Sequence, residues 1–217
     1  MSRIAEPPLS VDVMSASQLS RRQRVLDAVI GLVSDGGIDD MQMRELADRS
    51  GVALGTVYRY FSSKDHVVAA ALVSWASELD RRITRRPLPE GSPAERLKAL
   101  LHQGLRPFQR EPNFARLMIR SASSDDPFAS ECYDELGGIV FGALARALPE
   151  IEAGERDRIL SVVGAVWFVV LNEWVNGRAT VSTVYQRLDE ACDLLLGWRE
   201  HVTGNAGSSE ETSRSSP

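Results

Sequence analysis

Between residues 44 and 64 the chain gathers groups suited to gripping a polyanion and none suited to breaking a bond. The hydroxyls of Thr56 and Tyr58 can donate to phosphate or touch a thymine methyl, and Arg44 and Arg59 can reach phosphate or bind a guanine edge bidentately. Gly55 has no side chain, so another backbone can approach it closely. Lys64 falls at the start of a predicted helix, where free amides and the helix dipole already favour an anion. Catalytic chemistry has no comparable cluster. His66, His102 and His201 are scattered without metal-ligand spacing, and Cys132 and Cys192 are too few and too far apart for a zinc site. Gly164 and Gly177 stand alone rather than in a phosphate loop or nucleophile elbow. The Asp125-Asp126 pair before Pro127 reads as solvated or capping carboxylates. No catalytic residue, metal or cofactor is expected, and an enzyme is the disfavoured reading.

The positions of those groups require two short helices around a glycine turn. Leu46 and Ala47 on the first helix, Val52 in the Ser50-Gly51-Val52 turn, and Val57 and Phe61 on the second are spaced to bury one face. Gly55, Tyr58, Arg59 and Ser62 are then left on the other. A recognition helix of a helix-turn-helix needs that division, with one face on the scaffold and one in the major groove. A helical packing motif with incidental surface tyrosines satisfies the same spacing.

The rest of the chain also reads as helix. No proline occurs between Pro8 and Pro87 or between Pro149 and Pro217, and no stretch alternates β-branched residues with period two. The expected fold is all-α, with about nine helices. A first helix is predicted from Ser20, with Gln23 in capping-box register, to the Gly36-Gly37 stop. Others are predicted over 43–49, 53–61, 64–84, 93–110, 113–121, 128–148, 155–175 and 181–202. Ser92-Pro93-Ala94-Glu95 carries the cap, first-turn proline and acidic partner of the fifth helix. The polar ends 1–18 and 204–217 are expected to be disordered. Between them, 19–66 would form a DNA-binding domain and 67–203 a ligand-binding and dimerisation domain.

The bulk numbers fit this division. The 217 residues are 43% hydrophobic and 25% charged, and the net charge of −5 argues against coating nucleic acid by bulk charge but permits a local basic surface. The apolar run Val162 to Leu171 is shorter than the roughly 20 residues of a membrane span. No signal-peptide pattern precedes Glu6-Pro7-Pro8, so a cytoplasmic protein with reduced thiols and no membrane association is expected.

The run Met43-Arg44-Glu45-Leu46-Ala47-Asp48-Arg49-Ser50-Gly51-Val52-Ala53-Leu54-Gly55-Thr56-Val57-Tyr58-Arg59-Tyr60-Phe61-Ser62-Ser63-Lys64 resembles the signature of the tetracycline-repressor (TetR) family. The close match covers about residues 20 to 75, with small, aromatic and basic positions in register. The resemblance implies DNA contacts at Gly55, Thr56, Tyr58, Tyr60 and Lys64, and a base-contacting position for Arg44. It also implies an all-α homodimer whose C-terminal domain binds a small molecule. Two departures stand out: Gln42 and Met43 replace the usual Ser or Thr cap of the second helix, and Tyr60 replaces a frequent His.

In the C-terminal half, the predicted eighth helix is apolar almost all round, from Val162 to Val175, and must be covered on every side. The ninth carries Val184, Leu188, Ala191, Leu195 and Trp198 at three-four spacing, with Cys192 and Leu196 beside them. Paired across a two-fold axis, these last two helices would close a dimer facing a pseudo-palindromic operator in double-stranded DNA. Phe108, Phe114, Met118, Phe141, Trp167, Phe168 and Leu171 supply aromatic and flexible apolar lining for a small effector, with Asn172 as a polar orienting group. The same residues also suit ordinary core. The segments Gln42-Met43-Arg44, 53–61 and 167–174 are similar to actinobacterial repressors of sterol catabolism, which implies an elongated apolar ligand such as a steroid or an acyl thioester of coenzyme A. The expected function is repression released by that ligand. The alternative is a helical ligand- or protein-binding module without DNA binding.

Overall fold

The computed structural model describes residues 7–36 and 41–211, with side chains up to residue 197. Among the described residues there are nine α-helices and no strand: α1 (Ala16–Ser34), α2 (Met43–Ser50), α3 (Leu54–Tyr60), α4 (Lys64–Thr84), α5 (Pro93–Arg110), α6 (Pro112–Ser121), α7 (Pro127–Ala145), α8 (Ala153–Val175) and α9 (Val181–Glu211). The all-α expectation is met.

The start of α1 differs from the sequence expectation. Ser-x-x-Gln occurs twice, at Ser15/Gln18 and at Ser20/Gln23, and the earlier pair forms the capping box. The Ser15 amide donates to Gln18 Oε1 at 2.7 Å, and the Gln18 amide to Ser15 Oγ at 3.3 Å. Gln23, left inside the helix, donates to Asp27 Oδ1 at 2.8 Å and to Ser74 Oγ at 3.3 Å. With the earlier box closing the start of the helix, Gln23 instead ties α1 to α4. Before it, a 3-10 turn spans Val11–Val13, and the Leu9 amide donates to the Arg59 carbonyl at 2.9 Å. Of the ends expected to be disordered, residues 1–6 and 212–217 lie outside the described residues, as do Gly37 and the side chains beyond residue 197.

The chain forms two compact units: the part up to Arg82 with Arg110–Val140, and Ile83–Gln109 with the part from Phe141 onward. In the first, α1 packs on α2, α3 and α6. Val25, Leu26, Val29, Leu46, Val57, Phe61, Leu72 and Phe114 build its core. In the second, α8 packs on α9, and Leu97, Leu101, Leu148, Leu160, Val163, Cys192 and Leu196 form one cluster. Among the described side chains of α9, up to residue 197, the fully buried ones are Val184, Leu188, Cys192 and Leu196, a strict four-residue step, whereas Leu195 is half-buried and Leu194 is exposed. The predicted Ser92/Glu95 box caps α5, with the Ser92 amide 2.8 Å from Glu95 Oε2.

Candidate nucleic-acid interface

The reading head is built from the turn outward. Gly51 ends α2 at φ 63°, a left-handed conformation that a side chain would strain, and the Val52 amide returns to the Ala47 carbonyl at 3.1 Å. That turn swings α3 across α2 so that Leu46, Val57 and Phe61 are fully buried. Gln42 makes no side-chain cap on α2, as its residue type suggests. Arg22 places its guanidinium 5.2 Å from the centre of the Phe61 ring, holding the end of the recognition segment against α1.

The opposite face is open. Arg44, Gly55 and Arg59 are exposed, Tyr58 is 51% exposed, and Thr56 and Lys64 are half-buried. Gly55 is informative because the fold does not require it. Its backbone is ordinary helix, and a Cβ built there meets nothing within 4 Å. Glycine in a helix lowers stability relative to alanine, so its presence on this face suits a surface that another molecule approaches closely.

Tyr60 is placed otherwise. Tyr60 is 2% exposed: three residues beyond Val57 it lies at the edge of the inward face, and packing there covers it. The phosphate contact implied for it by resemblance is replaced here by packing. Ser62, expected on the outward face, is half-buried and turned towards His66 and Asp126. Arg49 pairs with Asp35.

His66 is a residue the sequence did not mark. It is 7% exposed, its Nδ1 accepts the Ser62 amide at 3.1 Å, and its ring stacks on Phe128 and meets the edge of Phe61. Burial pushes its pKa down to about 4, against an opposing pull from Asp126. The unfolded chain therefore binds the extra proton between its ordinary value near 6.5 and the depressed folded value. Stability is fully present above that range and is lost as pH falls through it. At pH 5 the loss from this group is expected to reach about 2 kcal/mol relative to pH 8. Denaturant unfolding at the two pH values checks this, and the same dependence in His66→Asn would exclude His66 as its source.

The residues expected to line a ligand site fall in both units. In the first, Phe114 and Met118 are buried on α6, and Phe114 stacks on Trp75 at 4.6 Å between ring centres, a partner the sequence reading missed. In the second, Phe108 and Leu171 are buried, Trp167 and Phe168 are half-buried, and Phe141 is 39% exposed with its edge against Gly164. Phe108 and Trp167 meet edge to face at 6.1 Å. Asn172 accepts from Asn176 Nδ2 at the end of α8, so it helps satisfy the helix terminus. Among the described residues, no group of three or more His, Cys, Asp or Glu could hold a metal.

Residues 25–71 match the model of bacterial regulatory proteins of the tetR family, and residues 91–195 match that of the tetracyclin repressor-like C-terminal domain. The HTH-type transcriptional repressor KstR of Rhodococcus jostii (strain RHA1) is 37% identical over 188 residues, 86% of this chain and 87% of that protein. The chain belongs to the TetR family. KstR of Mycobacterium tuberculosis (strain H37Rv) is 36% identical over 84% of each chain. Among solved TetR structures, a transcriptional regulator from Rhodococcus sp. RHA1 superposes with a TM-score of 0.70 at 29% identity, covering 83% of this chain and 97% of that one. Thermus thermophilus FadR, a TetR-family repressor crystallised with lauroyl-CoA, shares the fold at a TM-score of 0.63 and 19% identity, over 80% of this chain and 92% of its own. The chain is thus a DNA-binding transcriptional repressor of the TetR family, and its work is regulation rather than catalysis.

Proposed function

We propose that the chain acts in the cytoplasm as a two-fold homodimer closed by α8 and α9. Each copy presents α3 to one half of a pseudo-palindromic operator, and an elongated apolar effector releases the complex. The observation that carries the DNA part is the open face of α3, where Gly55 leaves the backbone uncovered beside Tyr58. Arg44, Thr56, Arg59 and Lys64 complete a surface of phosphate and base-edge donors.

The dimer reading is supported by α8. This helix is long and apolar enough to cross a membrane by length and composition, because it runs past the Val162–Leu171 segment at both ends, yet only 28% of its apolar window is buried within the chain. Val162 and Val169 are 48% and 52% exposed. Charged Glu155, Arg156, Asp157 and Arg158 open the helix, and α9 covers one side of it, so a second copy is a better cover for the remaining face than lipid.

The effector reading draws on the similarity to sterol-catabolism repressors and on the lauroyl-CoA held by the FadR neighbour. A steroid or an acyl-CoA thioester is the proposed class. Phe108, Phe141, Trp167, Phe168, Leu171 and Asn172, which belong to one unit, are proposed as residues that meet it. Release requires the effector to favour a state that DNA does not.

Titration of protein onto a genomic fragment it captures tests the DNA reading. Affinity is expected to fall steeply with salt as phosphate contacts release counterions. Tyr58→Ala is expected to weaken binding about tenfold with an unchanged melting temperature, the size of one lost polar DNA contact. Equal binding by this variant would remove Tyr58 from the interface.

A further inference from the structure

The recognition helix is held at its exit by a carboxylate 64 residues away in sequence. Asp126 lies in the segment between α6 and α7. Its Oδ1 accepts the amides of Phe128 and Ala129 at 2.9 and 3.1 Å, capping α7. Its Oδ2 accepts the Ser62 hydroxyl at 3.1 Å, and Ser63 hydrogen-bonds to the same carboxylate. Ser62 is the second residue beyond α3, and Ser63 Oγ in turn accepts the His66 amide at 3.0 Å in the first turn of α4. A second tie runs alongside, with Ser124 Oγ donating to Asp65 Oδ2 at 3.0 Å and Arg120 3.8 Å from the same carboxylate. The short segment 120–126 is thus fastened to the exit of α3 and the start of α4. It also continues α6, the helix on which Phe114 stacks against Trp75.

We propose that Asp126 is the positioning residue of the reading head, latching the exit of the recognition helix through Ser62 and Ser63 to the α6–α7 segment, so that displacement of α6 moves α3 on DNA. This deepens the proposed function, on which it rests, by naming the contact through which residues on α6 act on the operator. The carboxylate suits the task because one oxygen serves the α7 amides while the other remains an acceptor for hydroxyls. His66, neutral and packed between Phe61 and Phe128, backs the joint with a rigid ring and an acceptor for the Ser62 amide.

Asp126→Asn separates the two duties. Asparagine caps a helix as well as aspartate does, so α7 keeps its cap. Its amide group turns hydrogens towards the serine hydroxyls, which lose their charge-assisted acceptor and must rotate to accept instead. The sign of the effect discriminates. Removing a negative charge near a DNA-binding face favours DNA by Coulomb attraction alone, whereas loss of the latch weakens binding. The experiment measures affinity for a captured genomic fragment at fixed salt for wild type, Asp126→Asn, Ser62→Ala, their double variant, and Asp125→Asn as a charge-matched control on an exposed neighbour. Melting temperatures and hydrogen exchange of amides 61–67 are read in parallel.

Asp126→Asn and Ser62→Ala are each expected to bind about tenfold more weakly, with melting temperatures close to wild type and faster exchange at 61–67. The double variant should be no weaker than either single one, because both cut the same link. Asp125→Asn should bind as wild type or more tightly. Binding by Asp126→Asn as tight as that of the control would overturn the latch. So would additive losses in the double variant, which would mark Ser62 as a direct DNA contact. Should Asp126→Asn not fold, Ser62→Ala, which leaves the α7 cap intact, decides alone by the same two readouts. Should wild-type protein capture no DNA, the functional reading fails, and exchange still judges the latch: unchanged protection at 61–67 in Ser62→Ala overturns it, and faster exchange supports it.

Discussion

Replacing Val162 and Val169 together by aspartate is expected to yield a folded monomer whose affinity for operator DNA is at least about 100-fold below wild type. The two valines lie on the uncovered side of α8, 48% and 52% exposed within the chain, so carboxylates there stay hydrated and disturb the protomer little. In a two-fold dimer each change is repeated on the facing copy, which brings like charges into an apolar contact. The affinity loss follows from valency. Two linked recognition helices convert the second half-site contact into an intramolecular step worth a factor of about 10² to 10⁴, and a monomer forfeits it. Light scattering coupled to size exclusion reads the assembly state, and anisotropy with a captured fragment reads the affinity. A variant that remained dimeric and bound normally would show that α8 does not close the dimer.

Gly55→Ala is expected to move stability and function in opposite directions. In a helix, alanine in place of glycine gains about 0.5–1 kcal/mol, and the space around Gly55 is open, so the variant should melt higher. DNA affinity should fall by about tenfold or more, because the added methyl stands where the backbone is proposed to meet DNA. A stabilised variant with undiminished binding would place DNA elsewhere on the head. Few substitutions separate the two quantities so cleanly, since most residues at an interface also support the fold.

The helical architecture was legible because it rests on periodicity and punctuation. The Ser92/Glu95 box, the Gly51 turn and the Leu46–Val57–Phe61 face are local signals, and each forms the structure its pattern predicts. The start of α1 was not, because Ser15/Gln18 and Ser20/Gln23 carry the same pattern and only contacts distant in sequence, such as Gln23 with Ser74, separate them. Tyr60 and Ser62 show the limit at the site. Helical phase places residue 60 near the boundary between faces, and its burial is decided by packing. Ser62 lies beyond the end of α3, where phase no longer applies, and its partner Asp126 is 64 residues away. His66 was a lone histidine in the sequence; its role depends on Phe61 and Phe128 meeting its ring from separate segments. The stacking of Trp75 on Phe114 was likewise hidden, since nothing local links α4 to α6.

The proposed reading of a symmetric DNA site through α3 is open to direct test. The most direct measurement is to incubate purified wild-type protein with fragments of host genomic DNA at near-physiological salt, recover the bound fraction and sequence it. The expected result is a small set of enriched fragments sharing a pseudo-palindrome, its half-sites spaced for two recognition helices of one dimer. A folded, dimeric protein that enriches no sequence would show that α3 does not read such a site.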